Sequence, residues 1–150
     1  MKAAARCLAA ACLLFSSLES GLAQYESLAD ISEFRKGCQS YSEGNYEDAV
    51  LKLSHAWETV SADEENEEEK RIVASRLIQA LYRADQKGKL VEWYDENKGL
   101  NISPEAKLFL AISLRDEEHF EAASALFGSL SRFSTSVDIS IPENQAYCLV

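Results

Sequence analysis

The sequence predicts an all-α chain of antiparallel helix pairs packed one beside the next, and three observations carry that reading. Apolar residues between Tyr25 and Val150 recur at spacings of three and four, with almost no alternating strand pattern. The stretch Gly37-x3-Tyr41-x2-Gly44-x-Tyr46-x2-Ala49-x3-Leu53-x2-Ala56 puts small and aromatic residues where two short helices need them to pack closely. Helix-boundary residues punctuate the rest, most clearly at Ser103-Pro104-Glu105.

Six complete helices and the start of a seventh are expected. The first runs from about Ser27 to Tyr41 and the second from Asn45 to about Val60, with Gly44 freeing the backbone for a tight turn. The third begins at Ser61, where Ser61 and Glu64 have the Ser-x-x-Glu spacing of a capping box, and continues to about Gln86. Gly88 separates it from a short fourth helix through Val91, Trp93 and Tyr94 that stops near Gly99. The fifth opens with a cap residue (Ser103), a proline that needs no amide partner (Pro104) and a carboxylate at the positive end of the dipole (Glu105). It carries Leu108, Ala111, Ile112 and Leu114, and the sixth carries Phe120, Ala123, Phe127 and Leu130 after Glu117-Glu118. Residues 133–141 are polar and β-branched and read as a linker. Residues 142–150 echo the opening of the fifth helix, with Pro142-Glu143 matching Pro104-Glu105 and Tyr147 matching Phe109. A further repeat helix of a longer protein is therefore expected there; a C-terminal peptide recognised by other chains is the rival reading.

These pairs resemble the tetratricopeptide repeat, whose roughly 34-residue unit is two helices packed through fixed small and large positions. The first unit matches best, through Phe34, Gly37, Gly44, Tyr46, Ala49, Leu53 and Ala56, with Ser61 where a proline usually closes the unit. The third matches through Leu108, Ala111, Leu114, Phe120, Ala123, Phe127 and Leu130, with Glu118 where glycine is typical. The middle unit is divergent: its turn reads as Gly88-Lys89-Leu90, and Trp93 stands where a small residue is expected. On that register the turn positions Tyr46, Leu90 and Phe120 lie 44 and 30 residues apart, the acidic insertion from Asp63 to Glu69 accounting for the first excess. The units span about 30–60, 61–99 and 103–132, within a repeat region of 24–132. The resemblance implies a short right-handed α-solenoid whose first helices line a concave surface for peptides or helices. Carried over residue by residue, the candidate contacts are Phe34, Cys38, Tyr41 and Ser42, then Ile78, Tyr82 and Asp85, then Leu108, Ile112, Arg115 and Asp116. The competing reading for the apolar members is simple core. The family's clamp for acidic C-terminal peptides uses Lys, Arg and Asn at inner positions where Phe34 and Cys38 stand, so that cochaperone role is not expected.

The N-terminus has a cationic end (Met1, Lys2, Arg6), an apolar run from Cys7 to Leu18 and a polar stretch to Gly21-Leu22-Ala23, the layout of a secretory signal peptide over 1–23. The run is too short for a membrane span, which needs about 20 residues; a buried N-terminal helix is the competing reading. Cys12 is misplaced for a lipid anchor, because Leu13, Leu14 and Phe15 follow it. Export to a periplasm or cell envelope, or secretion, is expected. Losing Lys2, Arg6 and Glu19 moves the formal charge from −10 to −11. Such a surface disfavours nucleic acid and anionic lipid, both of which draw on clustered Lys and Arg. Of four cysteines, only Cys38 and Cys148 remain after cleavage, too few for a disulfide framework, and each is expected to be packed or free.

Nothing in the pattern points to chemistry. The two histidines, His55 and His119, belong to no H-E-x-x-H or C-x-x-C motif, and glycine-rich phosphate loops and Gly-x-Ser elbows are absent. The run Asp63-Glu64-Glu65-Asn66-Glu67-Glu68-Glu69 lacks the glycine-bearing loop that converges carboxylates on a cation, and reads as a solvated helix start. The expectation is a non-enzymatic scaffold with no metal or cofactor, binding a protein or peptide. The alternatives are the structural arm of a longer protein whose active domain lies beyond residue 150, and a small-molecule-binding or catalytic helical domain. Self-association stays open, since Tyr147-Cys148-Leu149-Val150 would present an apolar face.

Overall fold

A computed structural model describes residues 32–62 and 65–130. The signal-type segment, the linker at 133–141 and the helix expected at 142–150 lie outside the described residues, as does the expected helical start from Ser27 to Ile31. Six α-helices make up the described fold: α1 (Ser32–Ser42), α2 (Tyr46–Ser61), α3 (Glu67–Arg83), α4 (Lys87–Glu96), α5 (Pro104–Asp116) and α6 (Phe120–Leu130). No strand occurs among the described residues. No helix among them is long and apolar enough to cross a membrane.

Three turns of one design join the helices into pairs. Each ends a helix with a residue at positive φ: Gly44 at 81°, Asp85 at 55° and Glu118 at 64°. The amide after it reaches back to the helix's last turn: Asn45 N to Ser40 O at 2.9 Å, Gln86 N to Leu81 O at 3.0 Å and His119 N to Leu114 O at 2.8 Å. The orphan carbonyls at each helix end are thereby satisfied. The next helix then starts from the carbonyls of those same three residues, Asn45, Gln86 and His119. Only Gly44 occupies this conformation without a side-chain penalty; a Cβ there would meet nothing within 4 Å, so it is the backbone angle that favours glycine.

The shared turn corrects the register of the middle pair. Gly88 is not the break; it lies in the first turn of α4, which begins at Lys87, and α3 ends at Arg83, short of Gln86. Asp85 stands 41 residues after Gly44 and Glu118 a further 33, so the counterpart of Tyr46 is Lys87, not Leu90. Leu90 takes the position of Ala49 and is fully buried. A second correction falls at Ser61. It is the last residue of α2, and its Oγ donates back to Glu58 O at 3.3 Å, so it does not cap α3. Val60 holds α2 helical to this point by packing with Ala56 and Val73. The start of α3 falls instead at Glu67, where Glu67, Glu68 and Glu69 complement the positive end of the helix dipole. Glu69 is buried there, against the expectation of a wholly solvated acidic start, whereas Glu67 and Glu68 pair with Lys70 and Arg71 one turn on.

Packing in the first pair is set by a missing side chain. A Cβ on Gly37 would fall 2.7 Å from Leu53 Cγ, so α1 and α2 approach as closely as they do because Gly37 has none. Tyr41 meets Tyr46 edge to face near the turn, at 5.4 Å between centroids, while Phe34 packs at the far end beside Ala56 and Val60. Contacts that converge on the turn in this way make the pair antiparallel. Helix α3 is central: it packs against α1, α2, α4 and α5, and buries Val73, Ala74, Leu77, Ile78, Ala80 and Leu81 around most of its circumference. Beyond it α5 packs on α4 and α6, with Leu110, Leu114, Phe127 and Leu130 fully buried. The cap at α5 forms as expected, Ser103 Oγ accepting from Ala106 N at 3.2 Å with Pro104 as the first helical residue.

Candidate functional site

Helix α3 touches both α1 and α5. Between them lies an open groove of about 460 Å³, lined by Phe34, Arg35 and Cys38 of α1, by Arg71, Ile72, Ser75, Arg76 and Gln79 of α3, and by Ser103 and Glu105 at the head of α5. Phe34 and Ile72 supply an apolar floor, each resting on the small core cluster of Ala56, Val60 and Val73.

The polar walls are fixed from beneath. Ser75 Oγ donates to Arg71 O at 2.6 Å and accepts from Ser103 N at 2.9 Å, which ties the head of α5 to α3. Arg76 Nη1 donates to Gln79 Oε1 at 3.0 Å, and Gln79 Nε2 to Glu105 Oε2 at 3.4 Å. The Arg76 guanidinium also sits over the Tyr41 ring, 5.3 Å from its centroid, so its position is set on two sides. Arg71 is held by Glu68, whose carboxylate receives its Nε at 2.8 Å. Arg35 is exposed, and has no ion-pair partner among the described residues. Burial pushes the Cys38 thiol up, against the opposing pull of Arg76, so Cys38 stands in the groove as a neutral thiol at pH 7.

The sequence candidates divide sharply. Phe34 and Cys38 line the groove, and half-buried Tyr41 supports Arg76 beside it. Ser42 closes α1 outside the groove, its Oγ donating to Gln39 O at 2.7 Å. Ile78 and Leu108 are core residues, 0% and 3% exposed, and offer no surface to a partner. Tyr82 stacks on Phe109, 4.6 Å between centroids and 19° between planes, and Asp85 is the αL residue of the second turn. Ile112 packs half-buried against the core. Arg115 and Asp116 bind one another, Nε to Oδ1 at 3.0 Å, and Asp116 Oδ2 receives Lys87 Nζ at 2.8 Å across from α4. His55 and His119 are both exposed, the latter opening α6 through its carbonyl.

Helix α3 contributes most to the groove, yet sequence reasoning missed its residues because the middle register was three positions late. Moving Ile78 and Tyr82 back by three gives Ser75 and Gln79, both of which line the groove. The signal that locates them is the match of Tyr41-x-x-Gly44 to Tyr82-x-x-Asp85 and Arg115-x-x-Glu118, obscured because two of the three turns lack glycine.

The Asp116–Lys87 pair clamps α4 to α5 and has a pH signature. Burial raises the Asp116 pKa, but hydrogen bonds from Lys87 and Arg115 outweigh it and leave the carboxyl below its ordinary value. Its contribution is therefore present above the unfolded pKa of about 3.9 and lost as pH falls through the lower folded value. Lys87 is raised by the same bond, so its part persists below an unfolded pKa of about 10.4 and is lost as pH rises through the folded one. Asp116→Asn should cost under about 1 kcal/mol at neutral pH, since both side chains are partly exposed. Urea titrations at several pH values check this: the wild-type advantage should be flat near neutrality and vanish well below pH ~4.

A second groove, of about 390 Å³, lies between α2 and α4, with Val50, Leu51 and Trp93 on its walls. Leu51 is 58% exposed there, and Trp93 meets Trp57 edge to face at 5.3 Å. It lacks the arginines of the first groove, Lys89 being the one cation among its lining residues.

Compared with known proteins, the chain matches no family model, no curated protein and no solved structure.

Proposed function

We propose that the chain is a non-enzymatic interaction scaffold of three tetratricopeptide-like helix pairs that binds a segment of another protein in the groove formed by α1, α3 and α5. The observation that carries this reading is the groove itself: an apolar floor of Phe34 and Ile72, walled by side chains whose positions are fixed by Tyr41, Gln79 and Ser103. Preset walls of this kind reduce the ordering cost of binding. The repeat assignment draws support from the shared turn geometry and from a spacing of 33 residues between the second and third turns, close to the family's roughly 34. The first spacing exceeds that length by the size of the acidic insertion. Each pair would be too small to bury its apolar faces alone, and α3, packed against four other helices, is what a stack of such pairs requires of its middle member. The signal-type N-terminus supports action outside the cytoplasm, in a periplasm, an envelope or a secreted state.

The test is retention of a partner from the envelope fraction of the source cell by the immobilised chain, read by mass spectrometry. A dominant protein should be retained by the wild type and lost with Phe34→Ala combined with Tyr41→Ala. Equal retention by a folded double variant would move the site away from this groove.

A further inference from the structure

We infer that the groove selects an acidic peptide segment carrying a bulky apolar side chain. This rests on the scaffold reading above and specifies its partner's chemistry.

The argument starts from charge. The chain as a whole carries a formal charge of −10, yet the groove's lining holds three arginines, Arg35, Arg71 and Arg76, and a single carboxylate, Glu105. A cationic cleft in an acidic protein runs against the general surface, which would gather basic partners elsewhere. Arg71 is engaged by Glu68 in a two-point ion pair, so the charge open to a ligand comes from the other two arginines. Among the described residues Arg76 has no carboxylate partner: its contacts are the Gln79 amide, the Tyr41 ring and the neutral Cys38 thiol. Arg35 adds an exposed guanidinium at the same rim. Planar guanidinium groups match carboxylates in two-point geometry, and one preset by stacking loses little freedom on binding. Between these cations, Phe34, Ile72 and the neutral thiol of Cys38 form a surface that a leucine or phenylalanine side chain would cover. Glu105 and Gln79 close the end nearest α5, so like-charge repulsion places the peptide's carboxylates toward Arg35 and Arg76. An open groove between α1 and α3 that ends at the head of α5 suits an extended segment better than a free metabolite.

The experiment offers the full chain three sets of short labelled peptides, each built around leucine and phenylalanine and flanked by Asp/Glu, by Lys/Arg or by Gln, and reads affinity by fluorescence anisotropy. The acidic set should bind best, should weaken as salt rises, and should not be displaced by equal concentrations of free glutarate. Arg35→Gln and Arg76→Gln should each weaken it about tenfold. Because Arg76 packs on Tyr41, Arg35→Gln is the cleaner variant, its side chain being outside the core. Preference for the Gln or Lys/Arg set, still lost in Phe34→Ala, would overturn the acidic specificity and leave the scaffold reading standing. Acidic binding that survives both arginine variants would overturn the site. No binding by any set, from a chain that melts cooperatively, would overturn both readings.

Discussion

Gly37→Leu should destabilise the first helix pair strongly. Even the Cβ of the new side chain would lie 2.7 Å from Leu53 Cγ, 2.9 Å from its Cδ2 and 3.3 Å from its backbone nitrogen. Leu53 cannot step aside, because it is fully buried in the main core cluster with Ala49 and Leu77. The remaining branched carbons would have to be placed between helices already in contact, so α1 must move off α2. Overpacking of this kind costs about 3 kcal/mol, offset by up to about 1 from replacing a helical glycine. For a domain of this size the net loss lowers the melting temperature by about 10–15 °C. A circular-dichroism melt measures it, and an unchanged midpoint would mean that the helices do not meet at Gly37. Leu53→Ala in the same chain should recover part of the loss, a coupling expected only if the two residues touch.

The second large effect is expected at the other end. Phe127 is the largest fully buried side chain among the described residues, and it anchors α6 to α5 together with Ala123 and Leu130. Phe127→Ala removes a ring's worth of burial and leaves a cavity, for a cost of about 3–5 kcal/mol. The loss should appear first as faster amide exchange across Phe120–Leu130, because α6 lies at the edge of the described fold, away from the central α3. Protection in α2 and α3 should fall less. Uniform loss in all six helices would show instead that the pairs fold as one cooperative unit.

Most of the helical framework was legible because it rests on local chemistry. Gly37, Ala49 and Leu53 announce a close helix crossing through size alone, and Ser103-Pro104-Glu105 announces a helix start through capping and a fixed φ. The middle pair was misread because Gly88 resembles a helix stop, while the residue that turns the chain is Asp85, which gives no such signal. There the tertiary repeat, not the local residue type, sets the backbone. Ser61 misled in the same way: the capping-box spacing was present, but with Val60 packed against Val73, Ser61 is the last residue of α2.

The groove was legible only on α1. Phe34 and Cys38 were recognisable from the repeat pattern, but no motif or spacing in the sequence singles out Arg71 and Arg76. What distinguishes Arg76 is long-range: the Tyr41 ring beneath it comes from a helix two elements earlier. Ile78 and Leu108 show the reverse error. They match positions on first helices, yet α3 and α5 are packed on several sides, and these two side chains are spent in the core.

Which face binds is decided by calorimetric titration of the acidic peptide into four chains: the wild type, Arg35→Gln, Phe34→Ala, and Leu51→Ser on the opposite groove. Loss of about tenfold or more in affinity for the first two variants, with Leu51→Ser equal to wild type, is the result expected of a binding groove between α1, α3 and α5. Affinity lost in Leu51→Ser and kept in the other two would place the binding surface between α2 and α4 and contradict it.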